Sequence, residues 1–163
     1  MRLLSLLPRT LLAGHLALAA SMACAVPAGM AEPLPSPRPP PDVLADVLAD
    51  TVLDAANRYR QQAGLGPWTA DADLASIAAG HSRAQAAQGR LSHGGFEQRF
   101  AQTRAIRCVE NLSAGYHHGQ AVVDAWRTSP QHRQNLLDPD IDRAGVASAD
   151  GVVSMLACRF SGR

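Results

Sequence analysis

The chain has 163 residues, of which 47% are hydrophobic and 18% charged, and its formal net charge is +1 at pH 7. That length suits one domain with a single core, and the near-neutral balance excludes the basic footprint of a nucleic-acid binder. All 15 basic residues are Arg, and neither a phosphate-cradling glycine loop nor an internal repeat is present.

Met1-Arg2 and Arg9 lead into an apolar run, Leu11 to Ala23, broken only by His15 and Ser21. A charged start, a short apolar stretch and small residues after it predict a secretory signal over residues 1–25, too short to span a membrane. Ala23-Cys24-Ala25 offers a cleavage site, and Gly29-Met30-Ala31 a later one at 31. The mature protein is then expected to be secreted or periplasmic, with no transmembrane span. Acylation of Cys24 is the alternative, although Ser21 stands where an aliphatic residue is expected. Pro33 to Pro41 packs six prolines into nine residues, a composition that gives a semi-rigid extended spacer. Residues 26–41 are read as a linker and 42–163 as the folded domain.

Within that domain Val43, Leu44, Val47, Leu48, Val52, Ala55, Ala56 and Tyr59 recur at helical spacing, and Gly64-Leu65-Gly66-Pro67 ends the helix. Asp71 suits an N-cap for a second helix carrying Leu74, Ile77, Ala78 and His81 on one face, with Gly89 as its C-cap. Phe96–Gln102 reads as a short helix and Gln120–Arg127 as another, with Val122, Val123 and Trp126 inward. Ser129-Pro130 starts a further helix, the serine as cap and the proline at the first position. Glu110–Ala114 fits either a strand or a helical turn. Ala144–Ser148 and Val152–Phe160 are two strands joined through Ala149-Asp150-Gly151, a hairpin signal. Helices flanking a small antiparallel sheet make an α+β fold, an α-β-α sandwich.

After cleavage two cysteines remain, Cys108 and Cys158. An even pair in an exported chain favours a disulfide, worth roughly 4 kcal/mol for a loop of about fifty residues in the chain-entropy model. Two unpaired buried thiols are the other reading.

The candidate chemistry lies in three segments. His93 precedes Gly94-Gly95, where the backbone can turn and present a side chain. Glu110 sits between Val109 and Leu112, so burial is expected, and a buried carboxylate must be paired, metal-bound or protonated. His132 opens a helix. His81, on an apolar helix face, reads as a core histidine with its hydrogen bond satisfied, and His117-His118 as an exposed loop pair whose side chains diverge. Glu97 and Arg99 form a polar turn near the cleft with no further role assigned. No Gly-x-Ser-x-Gly, His-Glu-x-x-His or catalytic-cysteine context occurs.

Taken in order, Asn57-Arg58-Tyr59-Arg60, Gly64-Leu65-Gly66-Pro67, Ser92-His93, Glu110-Asn111-Leu112-Ser113-Ala114-Gly115, Trp126, Ser129-Pro130-Gln131-His132-Arg133 and Ala144-Gly145-Val146-Ala147 resemble the CAP superfamily. That group comprises the cysteine-rich secretory, antigen 5 and plant pathogenesis-related proteins, and the likeness is to its short bacterial form, from about Asp54 to Phe160. Two departures matter. Larger members carry a second acidic residue soon after the tryptophan, where this chain has Thr128 and Ser129, and the extra cysteines of eukaryotic members are missing.

The resemblance implies a cleft built by His93, Glu110 and His132. Two nitrogens and one oxygen suit Zn²⁺ or another divalent cation, with a fourth position left to water. The missing second acidic residue removes the obvious general base for a hydrolase. The expected function is therefore non-enzymatic binding by a monomer of a small-molecule, lipid, peptide or envelope ligand, with a divalent cation as potential cofactor. The alternatives are a zinc-dependent hydrolase of peptides or envelope polymers, and an extracellular interaction scaffold with a non-functional cleft.

Overall fold

The computed structural model describes residues 41–162, so the signal-peptide and spacer assignments over residues 1–40 lie outside the described residues. Helix α1 runs Pro41–Gln62, and Pro41, counted above with the linker, is its first residue, where a missing N–H costs least. Leu48, Val52, Ala55 and Ala56 are buried along one face. Val43, Leu44 and Val47 stay exposed, because there the helix borders an open groove instead of the core, with Leu44 and Val47 beside Tyr116 and Gly119.

The chain then passes through the two-residue strand β1 (Thr69–Ala70) into helix α2 (Ala72–Gln88). Asp71 caps α2 as expected, its Oδ1 accepting from the amides of Asp73 and Leu74, both at 3.1 Å. Gly89 closes the helix in the left-handed conformation, φ 63°, which glycine adopts without a Cβ penalty. Helix α3 (Phe96–Thr103), strand β2 (Arg107–Ala114), helices α4 (Gly119–Thr128) and α5 (Pro130–Leu136), and strands β3 (Arg143–Ala149) and β4 (Val152–Arg159) follow. The open alternative for Glu110–Ala114 resolves as strand. Ser129 occupies the N-cap position of α5, but its side chain makes no capping bond. Its backbone carries the junction instead, giving its N–H to Trp126 and accepting from Arg133.

The sheet order is β1-β3-β4-β2. β3, β4 and β2 are antiparallel neighbours, but β1 joins β3 in parallel, so the sheet is mixed rather than antiparallel. The cause is local: after the Gly64–Pro67 loop the chain runs beside β3 just before α2, bonding Thr69 N–H to Asp142 and Asp71 N–H to Ala144. The β3–β4 turn uses Asp150 and Gly151 at φ 46° and 76°, the two left-handed residues of a tight hairpin.

Alternation along the strands divides two apolar layers. Val153, Met155 and Ala157 of β4, with Ala144 and Val146 of β3, pack with α1 and α4 residues Val52, Ala56, Val122 and Trp126. Leu156 and Cys158 pack with Leu74, Ile77 and Phe96 on the opposite face. Cys108 and Cys158 are directly opposed in the β2–β4 register and form the disulfide. Gly145 of β3 lies against the backbone of Leu74 and Ala75 in α2, so close that a Cβ there would overlap it.

Two polar devices fix the α1/α4 side. Arg60 is 2% exposed. Its guanidinium donates to the carbonyls of Gly66, Leu136, Asp138 and Ile141 and lies over the Trp68 ring at 4.6 Å. Trp126, buried as expected, donates its indole N–H to the Leu112 carbonyl on β2 at 3.0 Å.

Candidate functional site

Period-two alternation decides what each residue of β2 meets. Cys108 packs with the α2/α3 layer and Val109 with the α1/α4 layer. Glu110, two on from Cys108, therefore turns toward α2 and α3, and Asn111 toward α5. This places a carboxylate, 3% exposed in its side chain, beneath the loop that joins α2 to α3.

Three side chains from that side surround it. Arg99 of α3 engages both oxygens, its Nε donating to Oε2 at 2.7 Å and its Nη2 to Oε1 at 2.8 Å. His93 Nδ1 lies 2.9 Å from Oε1. His81 of α2 is 5% exposed in its side chain, and its Nε2 approaches Oε1 to 3.7 Å without a hydrogen-bond partner. His81 is buried, as expected of a core histidine, but the expectation of a satisfied ring is corrected at Nε2, the nitrogen beside Glu110, which has no hydrogen-bond partner. Arg99, given no role above, is the principal partner of the carboxylate.

The loop presenting His93 is itself tied down. The Gln85 side-chain oxygen accepts from the Ser92 amide, Ser92 Oγ accepts from the Gly94 amide, and Arg99 Nη1 donates to the Gly94 carbonyl at 3.0 Å. Gly95, at φ 76°, turns the chain into α3. Since an ionised carboxylate only accepts, the His93 contact is an Nδ1–H donation, which leaves the lone pair of the neutral ring on Nε2. The His93 side chain is 54% exposed, so this nitrogen is the accessible face of a buried network.

His132 comes from the other direction. It lies in the first turn of α5, and its ring centroid is 6.3 Å from that of His93, tilted by 55°. Asn111 Nδ2 donates to the His132 carbonyl, and Asn135 Nδ2 donates to the Glu110 carbonyl and to Asn111 Oδ1. Burial lowers the pKa of His132, and the nearby His93 lowers it further. Burial also lowers that of His81, against the raising effect of the Glu110 charge.

His93, Glu110 and His132 therefore meet at one place, but not as three equal ligands. Both Glu110 oxygens are engaged internally, and among the described residues no group of three or more His, Cys, Asp or Glu is arranged to hold a metal. His93 is the more exposed of the two imidazoles, His132 being partly buried. His117 and His118 are exposed, as expected, and line a separate groove beside α1. Two larger hollows, of about 820 and 690 Å³, lie at the β1 edge and along α1. Neither includes His93, Glu110 or His132, so chemistry rather than volume singles out the cluster.

Residues 53–153 match the cysteine-rich secretory protein family, CAP. An uncharacterized membrane protein of Bacillus subtilis is 31% identical over 101 residues, which is 58% of this chain and 29% of that protein. The chain thus spans less than a third of that relative. A Bacillus anthracis extracellular protein containing an SCP domain superposes with a TM-score of 0.67 at 24% identity, over 71% of this chain and 41% of the other. A cysteine-rich secretory protein of Staphylococcus aureus gives 0.65 at 17% identity, over 71% and 39%. An outer surface protein of Borrelia burgdorferi gives 0.62 at 20% identity, over 69% and 92%. These structural likenesses are of fold.

Proposed function

Because this chain belongs to the CAP family of cysteine-rich secretory proteins, we propose that it is an exported binding module whose recognition site is the His93–His132 cleft. Export is supported by the signal-like N-terminus, by the Cys108–Cys158 disulfide and by neighbours described as extracellular or outer-surface proteins. Among the described residues no helix is long and apolar enough to cross a membrane.

The observation that carries the reading is the Glu110–His93 contact at 2.9 Å, with Glu110 held from behind by Arg99. A carboxylate that accepts from Nδ1–H fixes the tautomer and orientation of an imidazole and directs Nε2 outward. His93 and His132 are then the groups that meet the ligand, and Glu110 is the support of His93. Zn²⁺ or a similar divalent cation would be held by these two imidazoles and would supply a Lewis-acidic point for a polar group of the ligand. Binding rather than turnover is favoured, since the one buried carboxylate of the site is neutralised by Arg99 and is not free to act as a base.

Calorimetric titration of the purified chain with ZnCl₂ tests this. His93→Ala and His132→Ala should each lose most of the binding, whereas Glu110→Gln should weaken it by about 10–100-fold, as for a residue that orients a ligand. Parent-like zinc binding by the double histidine variant would reject the site. Peptide or envelope-polymer hydrolysis abolished by a chelator would establish the hydrolase reading instead.

A further inference from the structure

We propose that Arg99 is a resident counter-ion that closes Glu110 to divalent cations and so sets the selectivity of the cleft. This rests on the binding reading above and adds to it a residue that does not itself face the ligand.

The geometry is that of a nearly filled site, three of the carboxylate's roughly four acceptor positions being taken. A carboxylate binds a hard cation through its oxygen lone pairs. Here Oε1 already serves His93 and Arg99 Nη2, and Oε2 serves Arg99 Nε. The guanidinium approaches as a fork, with one nitrogen on each oxygen, the arrangement that a planar donor makes with a carboxylate and a point charge cannot copy. Its third contact, Nη1 to the Gly94 carbonyl at 3.0 Å, anchors it to the loop that carries His93. Displacing Arg99 from Glu110 would therefore disturb the imidazole as well. A second approach is covered too: the hollow of about 380 Å³ between α2 and α3 is lined by His81 and Arg99, the two residues standing against Glu110 there.

Charge leads to the same result. The pair Arg99–Glu110 is formally neutral and its carboxylate nearly inaccessible, so an arriving cation finds no free anionic oxygen in the cluster. Calcium, magnesium and manganese favour sets of oxygens, whereas zinc and copper accept imidazole. With Glu110 closed, His93 and His132 remain, and the cleft should take imidazole-seeking ions and refuse oxygen-seeking ones. The short step from a neutral pair to a free carboxylate is a single substitution, which makes the idea open to direct trial.

The experiment titrates the purified full-length chain with MnCl₂, CaCl₂ and ZnCl₂, following Mn²⁺ by its electron paramagnetic resonance signal and the others by calorimetry. The parent should take up Zn²⁺ and show no saturable Mn²⁺ or Ca²⁺ binding. Arg99→Gln should bring saturable Mn²⁺ binding, at least about tenfold tighter than the weakest affinity the parent titration could detect, because a carboxylate is added to the ligand set, and Arg99→Gln with Glu110→Gln should abolish that gain. Near-ultraviolet circular dichroism follows the fold throughout. If Arg99→Gln does not fold, Arg99→Lys is read: a point charge leaves one oxygen open, so Mn²⁺ should still bind severalfold tighter than to the parent. The proposal is overturned if the folded variants bind Mn²⁺ no better than the parent, or if the parent binds Mn²⁺ through Glu110, as shown by loss in Glu110→Gln. A parent without zinc affinity whose Arg99→Gln form gains Mn²⁺ would uphold Arg99 as the closure and sink the two-imidazole reading alone.

Discussion

Asn135 donates from α5 to the side-chain oxygen of Asn111 on β2 at 2.8 Å, and both residues are buried. The same amide reaches the Glu110 carbonyl at 3.1 Å, and Asn111 answers by donating to the His132 carbonyl at 3.1 Å. The helix that carries His132 is thereby latched to the strand that carries Glu110. Asn135→Ala leaves two buried acceptors without donors, at about 1–3 kcal/mol each. We expect a stability loss of about 2–4 kcal/mol in urea denaturation, together with weaker zinc binding as His132 drifts from His93. A variant as stable as the parent would show that the latch contributes nothing.

Arg60 should be the costliest single side chain to remove from the α1 side. Four carbonyls depend on it, and Arg60→Met keeps an apolar stem while deleting every donor. A loss of about 3–5 kcal/mol is expected, several acceptors being left dry at once. Since small domains hold only about 5–15 kcal/mol in all, the variant should melt far below the parent. A shift of a degree or two in Tm would contradict the assignment.

Stability should decline on mild acidification. Burial lowers the pKa of both His81 and His132 below the ordinary 6.5 in the folded protein. As pH falls through that value the unfolded chain takes up protons first, so it binds more of them than the native state does. The contribution is therefore whole above pH 6.5 and fades as pH drops toward the lowered native values. Urea midpoints measured across this interval should fall, and the His81→Leu, His132→Leu double variant should show a flatter dependence. Equal slopes in parent and variant would disprove the attribution.

The disulfide joins residues 50 apart, a separation worth roughly 4 kcal/mol in the chain-entropy model. Cys108→Ala with Cys158→Ala should lower stability by an amount of that order. Because Cys108 lies two residues from Glu110 on the same strand, the variant should also bind zinc more weakly. Non-reducing peptide mapping checks the pairing itself, and recovery of both cysteines as free thiols from protein purified without reductant would refute it.

Gly145→Ala tests the close approach of α2 to β3. The added methyl would meet the backbone of Leu74 and Ala75, which has no rotamer with which to yield. Overpacking of this kind costs about 1–3 kcal/mol, occasionally more, and here it pushes on the helix that holds His81. Unchanged denaturation midpoints would mean that α2 is free to move outward.

Much of this architecture is legible from short-range chemistry. Asp71, Gly89 and Asp150-Gly151 announce their helix ends and turn because the reasons are contained within a few residues. Glu110 and His93 point to each other through burial and family spacing, and the contact is there. Other features depend on what the fold brings from outside. Arg99 looks like any exposed helical arginine until α3 stands over β2. His81 looks like core until its ring is seen 3.7 Å from a carboxylate. β1 has only two residues, too few for any periodicity, and exists because β3 offers it an edge. The strand at Glu110–Ala114 carries polar residues on both faces, which blurs the alternation that would otherwise identify it.

β2 is an outer strand of the sheet, and such a strand ordinarily displays a row of unpaired carbonyls and amides to any extended chain that passes. Here Trp126 and Asn135 occupy the carbonyls of Leu112 and Glu110. An incoming segment would have to dislodge a buried indole and a buried amide to reach those two carbonyls. The groups that steady the cleft from within thus also deny β2 as a template for amyloid-like growth. That guard is made of the chain's own side chains.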